Sequence, residues 1–182
     1  MSFSAFTQLT TLLALFANGI TLVVLVVFVG ARMGVTALVG TRDWLRDALR
    51  DVGLWLAAAV ATTATAGSLL YSEYFDLIPC RYCWFQRIAM YPLAVILLIA
   101  AARRDTAGAR RYGIPLAVIG TGLAAYHYLI QQFPGLESAS CSIDVPCSSP
   151  YIWEYGFVSI PYMALAGFTL ILALLFTSER TA

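Results

Sequence analysis

Pro79-Cys80-Arg81-Tyr82-Cys83-Trp84-Phe85-Gln86-Arg87 opens directly into an apolar run that continues to Ala102. A helix that begins here holds both cysteines in its first turn, where free backbone N–H groups and the positive end of the helix dipole favour a thiolate over a thiol. Arg87 follows Cys83 by four residues, so its guanidinium shares a helix face with that sulfur. A thiolate attacks disulfides and electrophiles, and the spacing suggests a redox-tuned pair. The same Cys-x-x-Cys is also half of a structural zinc site, which Cys141 and Cys147 could complete. An arginine one turn into a membrane helix argues against that, because it would repel a bound cation.

The surrounding chain has the composition of a membrane protein. Of its 182 residues 60% are hydrophobic and 12% charged, and the mean hydropathy is +0.80, far above a soluble domain. About 20 apolar residues cross a bilayer, and five runs qualify: residues 9–29, 52–70, 84–102, 112–131 and 158–176. The expected fold is an all-α integral membrane protein. Residues 1–8 carry no basic charge, so the first run reads as a span and not as a signal peptide. Between the first two spans, residues 32–51 set Trp44, Leu45, Ala48, Leu49 and Val52 against Arg42, Asp43, Arg46, Asp47 and Arg50, an amphipathic surface helix or a solvated linker. Pro92 predicts a kink in the third span, and a loop of about nine residues is expected around Arg103, Arg104, Arg110 and Arg111.

All eleven basic residues are arginines, and their clustering argues for a topology signal and against nucleic acid as a partner. The positive-inside rule puts the loop of Arg103 to Arg111 in the cytoplasm, and alternation puts Arg32, Arg42, Arg46, Arg50 and Arg180 there too. The N-terminus is then outside and the C-terminus inside. Both cysteine pairs fall on the extracytoplasmic side, where an oxidising environment permits disulfides. Aromatic residues crowd that side as an interfacial belt, with a few available to line a pocket for a flat ligand.

The loop pair, Cys141-Ser142-Ile143-Asp144-Val145-Pro146-Cys147, reads first as an exposed redox pair that a partner protein can reach, with a structural staple as the alternative. The helix-mouth pair sits at the bilayer edge, within reach of a lipid-soluble quinone. His127, the one histidine, lies at membrane depth about one turn from the outer end of the fourth span, level with Arg87. An ionisable residue there is either a ligand contact or a buried hydrogen-bonding group.

These motifs together resemble the disulfide bond formation protein B (DsbB) family. The helix-mouth stretch, His127-Tyr128-Leu129-Ile130-Gln131-Gln132-Phe133-Pro134, and Cys141 through Pro161 are similar to its signatures, and the short Cys-x5-Cys loop with Phe157-Val158-Ser159-Ile160-Pro161 is most similar to its Gram-positive BdbC-like form. The vitamin K epoxide reductase family uses similar parts, with the loop cysteines ahead of the helix-mouth pair. The resemblance implies a four-helix transmembrane bundle over residues 52–176, plus one extra N-terminal transmembrane helix in residues 1–31, a cytoplasmic amphipathic segment in 32–51 and a cytoplasmic tail in 177–182. It implies an enzyme of the plasma membrane that reoxidises a DsbA-like thioredoxin-fold oxidase and passes the electrons to a membrane quinone, ubiquinone or menaquinone. Cys141 would meet the partner, Cys147 would pass the reducing equivalents to Cys80, and Cys83 would react with the quinone. Arg87, His127, Gln86 and Trp84 would form the quinone site. Outside the family, the cysteines would serve only as staples or zinc ligands in a structural membrane protein. The first span is expected to have no catalytic part.

Overall fold

The computed structural model describes residues 2–137, 141 and 145–178. Ser142, Ile143 and Asp144 of the cysteine loop, and Arg180 with the rest of the tail beyond Ser178, lie outside the described residues. Among the described residues the fold is all-helical, and five helices are long and apolar enough to cross a membrane.

The first, α1 (Phe3–Arg32), starts where the Ser2 side chain accepts a hydrogen bond from the Ala5 N–H at 3.3 Å. That cap sets the helix start six residues before the expected span. The chain turns at Gly34, whose φ of 86° favours a residue without Cβ, and the amphipathic α2 (Thr36–Leu49) returns against α1 with no residue fully buried. Leu38 reaches over Gly30, where any Cβ would collide with it.

The next four spans, α3 (Gly53–Leu69), α4 (Arg81–Arg103), α5 (Thr106–Gln132) and α6 (Ile160–Thr177), close a ring in which each packs on the next and α6 returns to α3. Small residues make this possible: Ala57, Ala58, Ala61, Ala117 and Ala166 are fully buried, and Phe168 of α6 lies where a Cβ on Gly120 of α5 would have to be. α1 packs on the outside of this ring, chiefly along α6, where the Asn18 amide donates to the Tyr162 hydroxyl at 2.7 Å.

Two expectations about connections are corrected. The arginine-rich loop of nine residues is a turn of only Arg104 and Asp105: Arg104 adopts a left-handed conformation, and Asp105 caps α5 by accepting from the Gly108 N–H at 2.8 Å. Arg110 and Arg111 are therefore helical, and Arg110 turns its guanidinium to the Leu175 carbonyl at 3.2 Å. A long arginine can sit on a helix end and still bring its charge to the interface, so a basic cluster is no marker of a loop. Pro115 consequently falls inside α5, and α4 continues through Pro92. Second, α3 does not stop at residue 70 but adds a π-turn over Leu70–Tyr74, which turns Tyr71 inward.

Candidate functional site

Cys80 forms the N-cap of α4. With extended backbone there, its sulfur accepts the Cys83 N–H at 3.4 Å, so the first turn is closed by the reactive group itself. The two thiols are free, and their sulfurs share an S–H···S hydrogen bond at 3.1 Å. This bond from Cys83 holds the Cys80 thiol down to about 4, against burial, which raises it; a hydrogen bond from His127 lowers it further.

Cys141 and Cys147 form a disulfide. While that disulfide is closed, two of the four thiolates of a four-cysteine zinc arrangement are tied up in it. Cys80, Ile130 and Cys147 make one buried cluster, with Cys83, Cys141, Tyr82 and Val145 packed around it. The two cysteine pairs therefore meet, as the topology required.

His127 sits between them, 1% exposed. Its Nε2 lies 3.2 Å from the Cys147 carbonyl oxygen and 3.5 Å from Cys80 Sγ, while Nδ1 faces the Gln86 side-chain nitrogen at 3.2 Å. A proton on Nε2 satisfies every one of these contacts: the carbonyl accepts, and Gln86 donates to Nδ1. His127 lines a small crevice with Cys80, Cys83 and Gln131.

On the other side of Cys83 an apolar cleft of about 350 Å³ runs between α1 and α3, backed by α4 and α6. Cys83, Gln86 and Arg87 line its cysteine end, together with Ser68, Tyr71 and Pro79. Arg87 is nearly buried and fixed: Nε donates to Ser68 Oγ and Nη2 to the Ser68 carbonyl, both at 3.0 Å, and the Tyr91 hydroxyl adds a third bond to Ser68 Oγ at 3.2 Å. Trp84 packs its ring 5.2 Å from the Arg87 guanidinium carbon. Of the four residues expected at a quinone site, Gln86 and Arg87 line the cleft; Trp84 and His127 do not.

Sequence reasoning missed two polar anchors. Ser68 carries no motif and became visible only through its partner Arg87. Glu137 grips the disulfide loop: its carboxylate accepts from the Cys147 N–H at 2.6 Å, the Ser148 N–H at 3.3 Å and the Ser148 hydroxyl at 2.7 Å. The Ser148 hydrogen bond and the two backbone N–H groups hold the Glu137 carboxyl below the usual carboxylate range. Its only trace in the sequence is an acid four residues before Cys141.

The family described as "Disulfide bond formation protein DsbB" matches residues 50–178. Among curated proteins, the chain is 45% identical over 124 residues to "Disulfide bond formation protein C" of Bacillus subtilis (strain 168), covering 68% of this chain and 89% of that protein. It is 40% identical over 131 residues to "Probable disulfide formation protein C 2" of Bacillus anthracis, covering 72% of this chain and 93% of the relative. No solved structure matches significantly. In the matched region fall all four cysteines; α1 and α2 lie before it.

Proposed function

The chain belongs to the DsbB family of disulfide bond formation proteins, and from that premise we propose that it is a membrane protein dithiol:quinone oxidoreductase. In this reading it reoxidises a DsbA-like thioredoxin-fold oxidase and delivers the electrons to a membrane quinone. The arginine distribution supports an extracytoplasmic cysteine end, an outside N-terminus and a cytoplasmic C-terminus. The observation that carries the proposal is the junction itself: a disulfide, Cys141–Cys147, packed on a reduced pair, Cys80 and Cys83, whose second sulfur faces an apolar cleft.

The steps balance in electrons and protons. A partner thiolate attacks Cys141, breaking its bond to Cys147; the partner's second thiol resolves the mixed disulfide, so the partner leaves oxidised and the loop pair holds two thiols. Cys147 then attacks Cys80 of an oxidised helix-mouth pair, and completion of that exchange restores the loop disulfide and leaves Cys80 and Cys83 reduced. The described state, with the loop oxidised and the helix mouth reduced, matches the point after this transfer.

The cleft fits a quinone by the chemistry of its lining: apolar along most of its length, with the Arg87 guanidinium and the Gln86 amide at the end where Cys83 lies. A quinone bound there takes two electrons and two protons and leaves as quinol. Cys83 faces it and the Cys80 thiolate closes the disulfide; the Cys83 thiol gives up one proton and water supplies the second. Arg87 supplies a fixed positive charge and N–H donors toward a carbonyl oxygen, and Trp84 acts through Arg87. His127 works at the junction, where its Nε2 holds the Cys147 carbonyl beside the Cys80 sulfur.

Anaerobic mixing of the protein with a quinone and reduced partner tests the reading. Quinone loss matched to partner oxidation, abolished by Cys83→Ser and by Cys141→Ser, is expected; a Cys83→Ser protein that still turns over overturns it. A second reading rests on the donor atoms of Cys80, Cys83 and His127, which lie within 4.8 Å of one another and could hold a metal ion. Stoichiometric zinc in reduced protein with no quinone turnover would favour that one.

A further inference from the structure

α1 precedes the family-matched region, yet it supplies one entire wall of the cleft. Thr10, Leu13, Ala14 and Ala17 face it across from α3. We propose that α1 is a ligand-binding element of this protein, and that this face takes the apolar isoprenoid tail of the quinone while α4 takes the ring. The inference rests on the quinone reading above and adds the part of the molecule that selects the tail.

Three observations carry it. First, the polarity of the cleft is graded. Its charged and amide groups, Arg87 and Gln86, gather at the cysteine end, whereas the stretch facing Leu13, Ala14 and Ala17 is bounded by Leu56, Val60 and Ala64 of α3 and Leu170 of α6. A polar head and a long apolar tail match that gradient; a water-soluble substrate does not. Second, along α3 the lining runs from Leu56 to Tyr71, which at 1.5 Å per residue is about 22 Å. That is far longer than a quinone ring needs, and it extends towards the bilayer interior. The residues at the mouth, Leu13, Leu56, Ala59 and Thr63, are exposed on the surface that faces lipid, so a tail can enter sideways from the membrane.

Third, α1 is anchored so as to stand off from α3 at mid-length. At the cysteine end Phe6 packs on Tyr71 and Phe75, with ring centroids 4.8 and 5.3 Å apart, and the hydroxyls of Thr10 and Tyr71 lie 2.6 Å apart. Below that clamp α1 follows α6 and α2. The resulting gap is walled by small side chains, Ala14, Ala17, Ala59, Ala64 and Gly67. Without α1 the same surface of α3, α4 and α6 would be an open groove in which lipid acyl chains compete.

The test uses the full chain in proteoliposomes and compares a tail-free benzoquinone with its decyl homologue. Ala17→Phe narrows the gap, while Gly19→Leu adds similar bulk to the same helix where a Cβ meets nothing within 4 Å. The expected result is a KM for the decyl quinone raised by Ala17→Phe at least tenfold more than the KM for the tail-free quinone, with no such split in Gly19→Leu. A photoreactive group on the decyl chain should label peptides from residues 3–32 of the wild-type protein, a readout that does not depend on any variant folding. Equal KM changes for both quinones, the same split in Gly19→Leu, or label found only outside α1 would overturn the wall. A wild-type protein that reduces neither quinone would overturn the quinone reading beneath it, and this inference with it.

Discussion

His127 Nε2 is 3.2 Å from the Cys147 carbonyl oxygen and 3.5 Å from Cys80 Sγ, so one imidazole touches both cysteine pairs. Between two sulfurs that must exchange a bond, a group able to hold or release a proton lowers the cost of making the thiolate. His127→Ala is expected to slow transfer between the pairs by about 100-fold, the lower range for a lost acid–base group. Oxidation of a pre-reduced helix-mouth pair by quinone should slow far less. Stopped-flow measurement of the two half-reactions separates these, and equal slowing of both would remove His127 from the junction.

The Cys80 thiol, held near 4 by the bond from Cys83, gives a prediction with a defined sign. Its folded pKa lies below the unfolded value, so its contribution to stability is complete above the unfolded thiol pKa and is lost as pH falls towards about 4. Ultraviolet thiolate absorbance of the reduced protein should therefore persist through pH 6 and titrate near pH 4, and Cys83→Ala should move that midpoint upward. Thermal stability of the wild type should fall from pH 8 to pH 5 more steeply than that of Cys80→Ser. A midpoint near 9 in the wild type would contradict the N-cap geometry.

Glu137 fastens the oxidised loop through Cys147 and Ser148. Glu137→Gln keeps the shape but removes the charge from those hydrogen bonds, a loss of about 1 kcal/mol at a partly exposed site, or about fivefold. Reduction of Cys141–Cys147 by a dithiol should become easier by that factor, read as an equilibrium constant. Because the Glu137 carboxyl is lowered, the wild type should keep its advantage across neutral pH and lose it only as pH falls below the usual carboxylate range. A variant with the wild-type equilibrium constant at pH 7 would show that Glu137 does not hold the loop.

The cleft can be filled without disturbing the fold. A Cβ on Gly67 meets nothing within 4 Å although Gly67 lines the cleft, so Gly67→Leu should be stable, gaining roughly 0.5–1 kcal/mol in helix preference. It should nevertheless raise the quinone KM at least tenfold, checked by steady-state kinetics beside a melting curve. Unchanged KM in a stably folded variant would place the quinone elsewhere.

Much of this arrangement was legible before any coordinates, and the gaps have physical causes. Five long apolar runs and a Cys-x-x-Cys at a helix start are strong local signals, and α3 to α6 appear where the hydropathy puts them. Helix ends were less legible. A single side-chain cap at Ser2 or Asp105 outweighs composition over several residues, as Arg110 and Arg111 show. Which helices touch was not legible for α1: a span this apolar carries little record of its neighbours beyond Thr7, Thr10, Thr11, Asn18 and the small residues at 14 and 17 on the side that packs. His127 is expected at the quinone site from its depth and from the family resemblance. Depth is one coordinate: the residue lies at the expected level and lines the crevice at Cys80, which shares Cys83 with the cleft.

Arg87 offers the sharpest separation of charge from geometry. Its fork spans the Ser68 hydroxyl and carbonyl and lies over Trp84, so the guanidinium has little freedom and its remaining N–H groups point in fixed directions. A lysine at this position keeps the positive charge but not the planar fork, and it is more strongly hydrated than a guanidinium. Arg87→Lys should therefore fold and keep exchange between the two cysteine pairs near the wild-type rate, because neither pair bonds to Arg87. Quinone reduction should fall about tenfold in kcat/KM, equivalent to about 1.4 kcal/mol, as the donor array facing the cleft is lost. Arg87→Ala, which removes charge as well, should fall further, by about 100-fold or more. If Arg87→Lys matched the wild type, charge alone would suffice; if Arg87→Lys and Arg87→Ala were equally impaired, the fork would be the whole of the contribution.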